Sequence, residues 1–267
     1  MEIYCRYEKG GSVHYGRVEE KEIFTMDSEP WFDGKETGSV VPLAGVNLLH
    51  PCEPKIIVGL GGAYRESWGN NNPPGSVRWF IKPPGAAASW NDEIILPSSL
   101  DEAKVEVELV IVIGKRVKDA GQNESKDAIF GYTIGNDLVG TVDSYYRMTD
   151  ESNGFDENLL PPGLKICDRF APFGPYIYKN IDWRDRKRIL RIFSKEGDQR
   201  VVYENSTSGL IHSPEKTVSD LSRVLTLLPG DIIMTGTTQS FPVYPGETVE
   251  VSIEGMGKLV NRIVGSV

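Results

Sequence analysis

The chain is short of the residues from which most metal and redox modules are built. It has three cysteines, Cys5, Cys52 and Cys167, and three histidines, His14, His50 and His212, in 267 residues. The odd cysteine count, at spacings that fit no zinc module, argues against a disulfide framework and for free thiols in a reducing compartment. No run approaches the ~18 apolar residues of a membrane span. The opening MEIYCRYEKG is polar from its second residue and lacks the apolar core of a signal peptide. A cytoplasmic location with no membrane partner is therefore the expectation. Positive charge is also in deficit: 29 Lys and Arg stand against 38 Asp and Glu, a net charge of −9. That balance argues against a nucleic-acid partner, which needs a basic face for phosphates. It leaves room for a local basic pocket around a small anionic substrate.

Strand signals dominate what is present. Residues 2–26 read as short strands around the turn Gly10-Gly11, and Pro51 and Pro54 mark a connector before the apolar run KIIVGL. This divides the chain into a small N-terminal β module, 1–50, and a main domain, 51–267. Residues 59–77 are rich in Gly, Asn and Pro and read as a long loop, the kind of segment that serves as a lid. Strand-like runs follow at short spacing: RWFIK, EIILP, VEVELVIVIGK, YTIGNDL, APFGPYIY, RILRIFSK, QRVVYEN, DIIMTGT and ETVEVSIEG. Helix signals are few: one turn at AYRESW, and most clearly KDAIFGY and a segment from Ser213-Pro214-Glu215 to Pro229-Gly230. The fold class is α+β, mostly β, and a sandwich or roll rather than βαβ units.

Within VEVELVIVIG, strand alternation puts Glu106 and Glu108 on one face with Val110 and Val112. Val107, Leu109, Ile111 and Ile113 take the other face. Two ionised carboxylates side by side on a buried face repel each other, and a divalent cation relieves both the repulsion and the cost of burial. The alternative is a strand whose first residues are solvated. Asp137 follows a Gly-Asn bend at a strand end, where a carboxylate is either directed or simply forms the turn. Three oxygen donors without His or Cys suit Mg²⁺ or Mn²⁺, with Ca²⁺ a further option.

Seven motifs in order, KIIVGLG, WFIKPPGAA, VEVELVIVIGK, DAIFGYTIGND, LKICDRFAPFGP, LLPGDIIMTGTT and PGETVEVSIEGMGKLVNRIV, make the chain resemble the fumarylacetoacetate hydrolase family. The resemblance covers roughly residues 48–264. It implies a mixed β-sandwich roll, a homodimer and a Mg²⁺ or Mn²⁺ site on Glu106, Glu108 and Asp137. It further implies Lys165 as the active-site lysine, Lys82 in the pocket wall, and Thr237 as the residue that binds a substrate carboxylate.

Two departures bear on the reaction. Many hydrolytic and decarboxylating members carry a His-Glu pair in the lid after the first core strand. Here the segment reads GLGGAYRESWG, with Arg65 at the histidine position and Trp68 at the glutamate position. Glu66 and Arg65 are the groups that the lid, 61–74, could present instead. After Asp137 the family's arginine is replaced by Thr141, and Arg147 is the next cation able to reach a substrate carboxylate. The expected activity is C–C hydrolysis or decarboxylation of a small 2-oxo or β-diketo acid through a metal-stabilised enolate. Keto–enol or double-bond isomerisation of the 2-hydroxy-dienedioate type is the alternative, and a catalytically degenerate metal- or ligand-binding protein is the rival of another class.

Overall fold

The computed structural model describes residues 1–98, 100, 102–140 and 165–266. Two sheets carry the fold. The larger runs in the order Glu36–Pro42, Glu22–Met26, Ser12–Glu19, Glu2–Lys9, Tyr176–Lys179, Ile129–Asn136, Val107–Ile113, Ile232–Met234, Ile57–Gly61 and Arg78–Lys82. Asn47–Leu49 pairs with Glu2–Lys9 off this path. The second sheet runs Gln199–Ser206, Lys187–Phe193, Thr248–Ile253, Lys258–Gly265 and Glu93–Leu96.

The main core lies between these layers. Val107, Leu109, Ile111 and Ile113 meet Leu190, Ile192, Val249, Val251 and Ile263 there. Val110 and Val112 belong to a separate cluster with Ile177, Ile232 and Met234 on the other side of the large sheet. Every residue of Val107–Ile113 is buried, as a central strand covered on both faces requires. The N-terminal strands keep their own apolar cluster around Cys5, Tyr7, Val18, Ile23 and Leu48. They nonetheless join the large sheet, because Glu2–Lys9 pairs antiparallel with Tyr176–Lys179.

Both helix expectations needed adjustment. The first helix is Gln122–Ala128, and Ile129 already begins the strand Ile129–Asn136. Gly131 within it packs so tightly that a Cβ would come 2.7 Å from the Tyr178 carbonyl oxygen, so tertiary pairing decides this segment. The other expected helix is Pro214–Ser222, with Pro214 in its first turn and Ser213 Oγ accepting from the Lys216 N–H at 3.3 Å. It stops well short of Pro229 because Leu227 exchanges backbone hydrogen bonds with Val117. Asp231 fastens the centre of the large sheet: its carboxylate accepts from the Lys55, Ile56 and Leu228 N–H groups at 2.9, 3.0 and 2.7 Å.

Candidate active site

Antiparallel register brings the three carboxylates together. Val107 lies opposite Asn136 and Glu108 opposite Gly135, so Glu106 and Asp137 meet just beyond the paired ends. The Asp137 N–H donates to the Glu106 carbonyl at 3.1 Å, and the Glu106 N–H donates to Asn136 Oδ1 at 2.9 Å. Carboxylate oxygens of Glu106, Glu108 and Asp137 all lie within 4.8 Å of one another. Glu108 and Asp137 are buried, and Glu106 is the most open of the three.

Among the described residues Glu108 is anchored through one oxygen, Oε2. The chain leaving Ile232–Met234 runs on beside it: the Thr235 N–H and hydroxyl donate to the Leu109 carbonyl, and the Gly236 N–H donates to Glu108 Oε2 at 2.6 Å. Gly236 has φ +82°, and a Cβ there would stand 3.0 Å from the Leu60 carbonyl. Glycine is required at this approach. Among the described residues Glu108 Oε1 is buried and accepts no hydrogen bond.

Two lysines face the cluster. Strand alternation turns Trp79 and Ile81 outward and Phe80 and Lys82 inward. The fully buried Lys82 ammonium bonds Asp137 Oδ1 and donates to the Leu138 carbonyl at 3.0 Å. Lys165 donates to Asp137 Oδ2 at 2.6 Å and to Glu106 Oε2 at 3.4 Å, with the Phe80 ring 5.2 Å away. Burial, then the charges of Asp137 and Glu106, hold the Glu108 carboxyl well above the usual carboxylate range. Burial would raise Asp137 too, but Lys82 and Lys165 outweigh it and keep its carboxyl below that range. Burial works against the Lys165 ammonium, yet Asp137 and Glu106 more than offset this and raise it. Lys165 is therefore a standing positive charge.

A divalent ion suits this donor set. Three hard oxygens converge, one of them a buried acceptor with no partner among the described residues. With the lysines already paired to Asp137 and Glu106 and the Glu108 carboxyl held above the carboxylate range, a divalent ion is what would let all three carboxylates ionise together.

The remaining candidates fall at different places. Thr237 follows Gly236, is half-buried, and donates its hydroxyl to the Gln239 carbonyl at 3.4 Å. Arg65 and Glu66 sit on an exposed turn, Arg65–Trp68. Arg65 donates to the Asn71 carbonyl at 3.1 Å, and the Glu66 carboxylate lies over Gly209. Trp68 is pinned by its indole N–H to the Gly62 carbonyl at 2.8 Å, with Arg78 stacked 4.8 Å from its ring. Neither Arg65 nor Glu66 hydrogen-bonds the three carboxylates among the described residues. Arg147 and Thr141 lie outside the described residues. Asn136, Gly236 and the buried position of Lys82 support the site without standing out in its motifs. Their signals were local: an Asn directly before the Asp, a Gly in T-G-T-T, and a Lys on the inward phase of RWFIK.

Known proteins resemble this chain along most of its length. A family profile described as "Fumarylacetoacetate (FAA) hydrolase C-terminal" matches residues 56–264. The chain belongs to the fumarylacetoacetate hydrolase family. A second profile, "Rv2993c-like, N-terminal", matches residues 4–51. Protein Rv2993c of Mycobacterium tuberculosis is 35% identical over 231 residues, 85% of this chain and 82% of that protein. The 4-hydroxyphenylacetate degradation bifunctional isomerase/decarboxylase of Escherichia coli is 31% identical over 92% of this chain, which spans 51% of that enzyme. Among solved structures, the 5-carboxymethyl-2-hydroxymuconate delta-isomerase of Mycobacterium smegmatis matches at 31% identity and a TM-score of 0.84, with all of both chains covered. The chain is thus an enzyme of a family whose members isomerise, decarboxylate or hydrolyse, and its mostly β fold is the family's. No helix among the described residues is long and apolar enough to cross a membrane.

Proposed function

We propose that this enzyme binds Mg²⁺ or Mn²⁺ and acts on a small 2-oxo or 2-hydroxy-diene carboxylic acid, by isomerisation or decarboxylation rather than by adding water. The observation that carries the reading is the set of three convergent carboxylates, with an unpartnered buried oxygen on Glu108 and the Lys165 ammonium alongside. Glu106, Glu108 and Asp137 would hold the ion. When bound, a divalent ion supplies Lewis acidity toward the oxo and carboxylate oxygens of such a substrate.

The chain's own groups supply the rest. Lys165 keeps its proton and offers a fixed positive charge where negative charge develops on the substrate oxygen. Lys82 orients Asp137 from behind through Oδ1. Thr237, next to the Gly236 that holds Glu108, anchors a substrate carboxylate through its hydroxyl. Arg65 and Trp68 stand where a water-activating His-Glu pair would be. That substitution removes the pair that would activate water, and the isomerase and isomerase/decarboxylase relatives support proton transfer or CO₂ loss. A homodimer belongs to this reading, supported by the exposed Trp79 and Ile81 on the end strand of the large sheet; sedimentation at a single monomer mass would contradict it.

The test is turnover with Mg²⁺ or Mn²⁺ on unsaturated 2-hydroxy and 2-oxo diacids, oxaloacetate and acylpyruvates, with product identification. Isomerised or decarboxylated product is expected. Release of an organic acid from an acylpyruvate would shift the assignment to hydrolysis. Bound Mn²⁺ without turnover on any of them would make the chain a metal-binding protein.

A further inference from the structure

Arg188 is a charged residue on the buried phase of an alternating strand. In Lys187–Phe193, Arg188, Leu190 and Ile192 turn inward, and the Arg188 side chain is completely buried. A guanidinium at this depth is costly unless it is tied to something. Among the described residues it makes two hydrogen bonds, both from Nη1: to the Val107 carbonyl at 3.1 Å and to the Gly236 carbonyl at 3.0 Å. Its plane lies 4.0 Å from the centre of the Tyr64 ring, a cation–π contact. Among the described residues its Nε and Nη2 have no hydrogen-bond partner. No carboxylate forms an ion pair with it there.

The two carbonyls it chooses are the significant point. The Val107 carbonyl belongs to the peptide that joins Val107 to Glu108, between the two glutamates of the site. Gly236 is the residue whose N–H holds Glu108 Oε2 at 2.6 Å. One nitrogen from the second sheet thus fixes both the backbone that carries Glu108 and the loop that orients its carboxylate. Tyr64, against the other side of the guanidinium, directly precedes the turn Arg65–Trp68 and is bridged to Leu210. The same side chain joins the carboxylate strand, the Thr235–Thr238 loop and the root of the 61–74 segment.

We propose that Arg188 is a positioning residue for Glu108 and for the loop that carries Thr237. This rests on the reading of Glu106, Glu108 and Asp137 as metal ligands. Arg188 touches neither ion nor substrate and acts through the Val107 and Gly236 carbonyls. Its loss lets the Glu108 carboxylate and the Thr237 hydroxyl wander from the geometry that binds. Outer partners that orient metal ligands typically change metal affinity by roughly 10–100-fold, and that is the range expected here.

The experiment is Mn²⁺ titration calorimetry on the wild-type chain, Arg188→Met and Arg188→Lys, with circular dichroism and thermal melts on each. Arg188→Met should weaken Mn²⁺ binding more than tenfold in folded protein and raise KM more than it lowers kcat. Arg188→Lys keeps one donor nitrogen and should fall between Met and wild type. A purely structural arginine would lower the melting temperature of both variants and leave the Mn²⁺ affinity of the folded protein unchanged; that result overturns the assignment. If Arg188→Met does not fold, Arg188→Lys carries the test: several-fold weaker Mn²⁺ binding supports the assignment, and unchanged binding overturns it. A wild-type chain that takes up no Mn²⁺ overturns the metal reading and this inference with it. Wild-type binding matched by folded Arg188→Met overturns the inference alone.

Discussion

Lys82 holds Asp137 from the buried side. Its ammonium bonds Oδ1 in complete burial, while Lys165 takes Oδ2 at 2.6 Å from the more open side. Asp137 is therefore charged, oriented and shared between two cations before any ligand arrives. Removing its charge leaves the buried Lys82 ammonium without this counter-ion, facing neutral acceptors such as the Leu138 carbonyl.

Asp137→Asn should accordingly destabilise the fold as well as the site. Breaking a buried pair on one side costs about 3–5 kcal/mol, because the other charge stays buried. Glu106→Gln, at the most open of the three carboxylates, should cost much less. Urea unfolding of both variants measures the difference. Adding Lys82→Met to Asp137→Asn should recover part of the loss, and no recovery would mean that the pair is not coupled.

Gly236→Ala combines a backbone effect with a local one. A side chain at φ +82° is expected to cost about 1–3 kcal/mol, and its Cβ would press on the Leu60 carbonyl at 3.0 Å. The same shift moves the N–H that holds Glu108. Denaturant midpoints should fall and Mn²⁺ affinity should fall with them. A variant as stable as wild type would contradict the conformation assigned to this loop.

His50 makes part of the stability pH-dependent. Its Nδ1–H donates to the Cys52 carbonyl at 2.7 Å, but burial outweighs that bond and lowers the imidazole from its ordinary value. The unfolded chain then binds this proton more readily, so the contribution is present above about pH 6.5 and is lost as pH falls through the lowered folded value. The wild type should lose stability between pH 7.5 and 5 relative to His50→Gln, measured as the difference between their urea midpoints. Parallel curves would sink the assignment.

Thiol chemistry should be muted in the native state. Burial pushes Cys5 up to about 12 and raises Cys52 further, and both side chains are buried. Cys167 is half-buried, and burial raises it as well. Thiolate is the reactive form. A disulfide reagent at pH 7.5 should titrate at most one thiol before denaturation and all three after it. Rapid reaction at two or more native sites would contradict this packing.

Much of this arrangement was legible in the sequence, because it rests on strand alternation. The period of two placed Glu106 and Glu108 on one face and separated Val107, Leu109 and Ile111 from Val110 and Val112, as the two clusters do. Helix limits were less readable. Ile129–Asn136 and the Val117–Leu227 bridge are fixed by partners distant in the chain. The support of the site was hidden for the same reason. Lys82 reads as a pocket lysine until the strand shows its inward phase. Arg188 carries a local signal, a charge among inward apolar residues, but its purpose depends on two carbonyls 81 and 48 residues away.

Whether Glu108 holds an ion decides the function proposed for this site. Gln at 108 keeps the shape of the side chain and an acceptor for the Gly236 N–H, so the fold should persist while the charge is removed. Calorimetric titration of Mn²⁺ into the wild-type chain and into Glu108→Gln separates the possibilities. Saturable binding of a single ion per wild-type chain, abolished in the folded variant, is the expected result. A wild-type chain that binds no Mn²⁺, or a variant that binds it equally well, would contradict the account.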